Sequence, residues 1–159
     1  MTPCPGKTPP YPWGFLWSRD LDADIAAIRD WGADVVVTLV EDHELALLGV
    51  PELRAAVEAA GMRWRHAPIP DMHPPDTRFE EAWPALAAEL KEVLRAGGRV
   101  VVHCRAGLGR TGLVAALLAM EFGDTAAEAI ARVRGVRWSM IETPAQRRYV
   151  ERYVPVTPQ

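Results

Sequence analysis

Apolar and polar positions follow two different periods along this chain. Unbroken apolar runs at Val35-Val36-Val37-Thr38-Leu39 and Val100-Val101-Val102 predict short strands buried on both faces. Trp64 to Ile69 predicts another strand, and Trp13-Gly14-Phe15-Leu16-Trp17 the start of a first sheet hairpin, its aromatics read as edge packing. Helical spacing governs Asp20 to Trp31, where Leu21, Ile25, Ile28 and Trp31 share one face and Gly32 is the stop. Pro51 and Gly61 bracket a further helix. A long one spans Thr77 to Ala96, kinked or begun late at Pro84, and Gly97-Gly98 ends it. Leu113 to Met120 predicts an apolar helix, Thr125-x-x-Glu128 a capping box opening one to about Arg134, and Thr143-Pro144 the last. Strands alternating with helices predict an α/β fold, a single central sheet with helices on both faces. It is expected to occupy 13–159 as one domain, after a proline-rich tail at 1–12 without regular structure.

Composition narrows the function more than the fold. With 159 residues, 49% hydrophobic and 25% charged, the chain reads as an ordinary soluble globular protein with a sizeable core. A net charge of −3 argues against general polyanion binding, so no nucleic-acid partner is expected. With neither a signal peptide nor a long apolar run, the expectation is a cytoplasmic monomer with no membrane partner. Two cysteines make no disulfide framework; Cys4 reads as a free thiol in the tail, with a resolving role toward Cys104 as the alternative. His43, His66, His73 and His103 lack ligand spacing, so neither metal nor cofactor is expected.

The chemistry concentrates between the Val100 strand and the helix after it, in His103-Cys104-Arg105-Ala106-Gly107-Leu108-Gly109-Arg110-Thr111-Gly112. A short loop closing onto a helix start turns backbone N–H groups inward, and the helix dipole adds positive potential, giving an anion cradle. Gly107 and Gly109 permit the turns it needs. Arg105, Ala106, Gly107, Leu108, Gly109 and Arg110 would then hold a phosphate, Arg110 by a planar fork that grips two oxygens. Cys104, facing the cradle, is expected as a thiolate nucleophile with the Thr111 hydroxyl donating to its sulfur. His103 is read as holding the loop and the cysteine in place, not as a base.

Cleaving a phosphate ester at neutral pH also needs a proton donor and then a base for water, and one carboxylate can serve as both. Asp71 fits, on a segment stiffened by Ile69-Pro70 on one side and Pro74-Pro75 on the other. Asp76 reads better as the N-cap of the following helix, and His73 as an exposed loop residue. Glu41, Asp42, His43 and Glu44 form an acidic cluster read as a solvated loop and helix start, an approach to the site being the alternative.

His103-Cys104-x5-Arg110-Thr111-Gly112 resembles the signature loop of cysteine-dependent protein tyrosine and dual-specificity phosphatases. The layout from Trp13 to Tyr153 is most similar to the small atypical dual-specificity phosphatases, then to the kinase-associated ones. The resemblance implies a protein tyrosine phosphatase-like fold, a cysteinyl-phosphate intermediate and Asp71 as the general acid. It also implies a pocket shallow enough for phosphoserine and phosphothreonine besides phosphotyrosine. Ser139 to Gln146 resembles the late loop, where Glu142 or Gln146 would orient the attacking water, although Gly135-Val136-Arg137-Trp138 departs from the usual pattern before it. Phosphoinositides or other non-protein phosphates are an alternative substrate class, and sulfur transfer or arsenate reduction an alternative chemistry.

Overall fold

A computed structural model describes residues 1–8 and 19–156; the aromatic run at Trp13 to Trp17 lies outside them. Among the described residues four strands form one parallel sheet, β1 (Thr2–Pro3), β2 (Val35–Thr38), β3 (Arg63–His66) and β4 (Val100–Cys104), in the order β1-β4-β2-β3. Every side chain of β2 is 0% exposed. Successive strand side chains point to opposite faces, so both faces of the sheet centre are covered. The covering helices are α1 (Leu21–Asp30), α2 (Asp42–Leu47), α3 (Leu53–Ala59), α4 (Thr77–Arg95), α5 (Gly109–Glu121), α6 (Ala126–Val136) and α7 (Pro144–Arg152). Helices α4 and α5 lie on β4 and on each other, α6 and α7 pack on α5, and α3 packs on β3 and α1. No helix among the described residues is long and apolar enough to cross a membrane.

Most boundaries follow from local chemistry. Asp20, Asp76, Thr125 and Thr143 cap α1, α4, α6 and α7 with side-chain oxygens. Helix α4 starts at Thr77 rather than after Pro84: the proline leaves only the Glu80 carbonyl without its helical donor, and Glu80 is exposed to water. Helix α5 starts earlier than its apolar run, so Arg110, Thr111 and Gly112 lie in its first turn. Gly112 is required there, because a Cβ would stand 2.7 Å from the Met140 Cβ.

The loose tail expected at 1–12 is not what residues 2–6 form. Thr2 and Pro3 pair with His103 and Cys104 along β4, and Cys4, Pro5 and Gly6 are buried. Proline is tolerated because β1 is an edge strand, where one N–H direction needs no partner. Near the other end, Glu121 of α5 fastens the chain beyond α7: it accepts from the Tyr153 hydroxyl and, at 2.8 Å, from the Val156 N–H, with Lys91 Nζ 3.7 Å away.

Candidate active site

The site forms where β4 ends, α5 begins and three loops converge. Cys104 is the last residue of β4 and only 3% exposed; residues 105–108 make the turn, and Gly109 opens α5. Gly107 has φ +73°, and a Cβ there would sit 2.6 Å from the Thr2 carbonyl carbon. Thus β1, which the sequence does not announce, forms the wall behind the turn. The Cys4 N–H also donates to the Arg105 carbonyl at 3.4 Å, and Lys7 Nζ does so at 3.0 Å. Burial pushes the Cys4 thiol up to about 12, so it stays protonated next to the cradle rather than loose in a tail.

Arg110 is 2% exposed and completely positioned. Its Nη1 and Nη2 donate to both carboxylate oxygens of Glu44, at 2.6 and 2.9 Å, and Nη1 also donates to the Ile69 carbonyl at 3.0 Å. Burial raises the Glu44 carboxyl, but the bonds from Arg110 and from the Glu41 N–H outweigh it and hold the group below the usual carboxylate range. The solvated reading of the acidic cluster therefore fails at Glu44, the functional residue that sequence reasoning passed over. Its signal was present: Glu44 adjoins Leu45 and lies four residues before Leu48, both buried, so it shares the inward face of α2. Asp42, by contrast, is exposed as expected. Glu44→Ala would leave a buried guanidinium without its main counter-charge, and is expected to lower unfolding free energy by about 3 kcal/mol. Urea denaturation checks this, and a loss under about 1 kcal/mol would remove Glu44 from the role of clamp.

Asp71 reaches into the same group. Its Oδ1 lies 2.9 Å from Arg110 Nη2 and its Oδ2 3.7 Å from Arg105 Nη1, so the acid loop is clipped to the turn on both sides. His73, exposed as expected, also braces the loop, its Nδ1 2.6 Å from the Asp71 carbonyl. Asp76 caps α4 and stands apart from this arrangement.

The late loop closes the remaining side. The Gly109 N–H donates to Glu142 Oε2 at 2.7 Å, so a carboxylate sits at the start of α5. Gln146 is buried, with Oε1 in the space a Gly109 Cβ would enter and Nε2 donating to the His73 carbonyl at 3.2 Å. It thus links the late loop to the acid loop. Met72 and Ile141, beside Asp71 and Glu142, are the non-glycine residues with positive φ among the described residues, at 61° and 60°. Backbone strain flanks both carboxylates.

His103 is wholly buried and belongs to a side-chain relay across the sheet: Trp64 Nε1 donates to Thr38 Oγ1 at 2.9 Å, which lies 2.7 Å from His103 Nε2. The Thr38 hydroxyl can serve both neighbours, because it donates one hydrogen bond and accepts two. Burial lowers the His103 pKa to about 4, opposed in part by the Cys104 backbone, so the ring is neutral at physiological pH. The unfolded chain takes up this proton near 6.5 and the folded one only near 4, so stability is whole above 6.5 and falls as pH drops toward 4. A slope of about 1.4 kcal/mol per pH unit in that window is expected in urea titrations, and His103→Gln should flatten it. Thr111 Oγ1 is buried without a hydrogen bond among the described residues, so the expected donation to the Cys104 sulfur is not made here. It and His103 Nδ1 are the buried side-chain atoms left unpartnered among those residues, and they bracket the cysteine and arginine in sequence.

A thiol at a strand end, a glycine-bearing turn closing onto a helix start, a fixed guanidinium and a carboxylate on a separate loop make a site suited to an oxyanion of tetrahedral shape. Residues 15–124 match a family described as "Polymorphic toxin system, DSP-PTPase phosphatase". The chain is 31% identical over 138 residues to cyclin-dependent kinase inhibitor 3 of Rattus norvegicus, covering 85% of this chain but 64% of that protein, so it spans under two thirds of that relative. It is 32% identical over 135 residues to protein tyrosine phosphatase type IVA 3 of Bos taurus, covering 85% of this chain and 72% of that one. Among solved structures, a kinase associated phosphatase whose catalytic site cysteine is replaced by serine superposes with TM-score 0.82 at 26% identity, covering 93% of this chain and 80% of that one.

Proposed function

Because this chain belongs to the DSP-PTPase phosphatase family, we propose that it hydrolyses phosphate monoesters on tyrosine, serine and threonine side chains of proteins through a cysteinyl-phosphate intermediate. The observation that carries this reading is the clamped Arg110: a guanidinium 2% exposed, fixed end-on by Glu44, at the mouth of a helix-start turn that begins at Cys104. Such a cation is preorganised for charge that develops on phosphoryl oxygens, with no reorganisation left to do at the moment of reaction.

The incoming phosphate and the Asp71 carboxylate compete for Arg110 Nη2. Phosphate wins by adding the turn amides from Arg105 to Leu108, and the displaced Asp71 takes a proton from water and holds it above the ester oxygen. The Cys104 thiolate attacks phosphorus; an S–P bond forms as the P–O ester bond breaks, and the leaving oxygen takes the Asp71 proton. Asp71, now a carboxylate, accepts a proton from water as that water attacks the thiophosphate, releasing inorganic phosphate and restoring the Cys104 thiolate. Glu142 and Gln146, both against Gly109, orient the water. Glu44 is a positioning residue acting through Arg110, and the neutral His103 keeps the strand end in register with β2. Thr111 supports the thiolate only after a rotation of its hydroxyl. The chemistry needs no metal or cofactor, and a thiolate enzyme of this kind suits the reducing cytoplasm, where it would act as a monomer on phosphorylated polypeptides rather than on nucleic acid or membrane.

The test is p-nitrophenyl phosphate hydrolysis with rapid acid quench. Release of nitrophenol and phosphate, with phosphate trapped on Cys104, is expected. Sulfur transfer from thiosulfate to cyanide without ester hydrolysis would overturn the reading.

A further inference from the structure

The early turns of α7 do two things at once. Gln146 ties the helix to the acid loop and to Gly109, while the turns beyond it line a cleft of about 480 Å³ whose wall includes Pro74 from that same acid loop. The cleft is therefore continuous with the segment bearing Asp71. Its half-buried sides are Tyr149 and Tyr153. Tyr153 is fixed by accepting from Trp83 Nε1 at 2.6 Å and donating to Glu121, and Tyr149 and Glu80 stand together at the rim.

Its cations are what distinguish it. Arg147, on a neighbouring face of α7, is paired with Glu151 at 2.7 Å. Arg148 and Arg152, one turn apart and exposed in the cleft, make no hydrogen bond or ion pair among the described residues. Like charges at this spacing repel by a few tenths of a kcal/mol, and the one carboxylate lining the cleft, Glu80, offsets only one of the two cations. The balance is positive in a protein whose net charge is −3.

We propose that this cleft is a specificity subsite that takes acidic side chains of the phosphopolypeptide substrate, flanking the residue whose phosphate enters the cradle; it rests on the phosphatase reading above. Along the helix, Arg148 lies about 3 Å and Arg152 about 9 Å beyond Gln146. An extended peptide advances about 3.3 Å per residue, so the acid belongs about one to three residues from the phosphoresidue. Tyr149 and Tyr153 supply flat apolar area for the intervening side chains.

The experiment compares kcat/KM for three substrates: phosphopeptides with Asp one to three residues away on either side, the same peptides with Asn there, and p-nitrophenyl phosphate. Wild type should favour the acidic peptide about five- to tenfold, mainly through KM, with the preference shrinking at high salt. Arg148→Gln/Arg152→Gln should abolish that preference and leave p-nitrophenyl phosphate turnover unchanged. Three results overturn the subsite alone: no acid preference in wild type, a preference that survives the double substitution, or a double substitution that changes only multiply phosphorylated inositols. An enzyme that cleaves neither aryl phosphate nor peptide overturns the phosphatase reading and the subsite with it.

Discussion

Cys104→Ser is expected to eliminate turnover of every phosphate ester, by a factor on the order of 10⁴ or more, while the protein still folds and still binds vanadate or phosphate. A serine hydroxyl in the same cradle keeps the anion site, since the turn amides and Arg110 are untouched, but offers no ionised nucleophile at neutral pH. Retention of the oxyanion matters as much as the loss of rate: a variant that lost both would point to a collapsed turn rather than a missing nucleophile. Arg110→Lys separates the two contributions. A lysine cannot span both Glu44 oxygens and a phosphate together, so the expected loss is about 10²–10³-fold in kcat/KM. Steady-state hydrolysis of p-nitrophenyl phosphate with parallel calorimetry of vanadate binding checks both variants. Near-normal turnover in either would leave the clamped guanidinium without catalytic purpose.

Asp71→Asn is expected to lower kcat by about 10²–10⁴-fold for esters with poor leaving groups, such as phosphoserine peptides, and far less for those with good ones, such as p-nitrophenyl phosphate. Proton donation matters only where the departing oxygen is basic. The carboxylate also competes with phosphate for Arg110 Nη2, so the amide should bind phosphate no worse than wild type, and KM should not rise. A plot of log kcat against leaving-group pKa reads this directly: a steeper slope for the variant is expected, and parallel lines would strip Asp71 of the donor role.

The sheet, the helix order and the signature turn were legible because each has a strong local cause. Val35–Val37 and Val100–Val102 have nowhere to go but a doubly covered sheet, and the caps at Asp20, Asp76, Thr125 and Thr143 mark helix starts by their own hydrogen bonds. What escaped depended on contacts distant in sequence. Glu44 is one of several neighbouring carboxylates, and only the burial of Arg110 decides which one turns inward. The strand at Thr2–Pro3 escaped because proline argues against sheets in general, whereas at an edge beside β4 the objection lapses. The Thr111 hydroxyl was assigned from type and position alone; its direction belongs to the packing of α5. The late loop and the acid loop meet through Gln146, whose Nε2 donates to the His73 carbonyl.

Gly107 bends against Thr2 and Pro3, so the outermost ribbon of the sheet doubles as a backstop for the reactive turn. Two segments a hundred residues apart thus share one fit: a side chain at Thr2 or Pro3 that pushes the ribbon outward leaves the turn after Cys104 without its support, although no residue of the turn itself has changed.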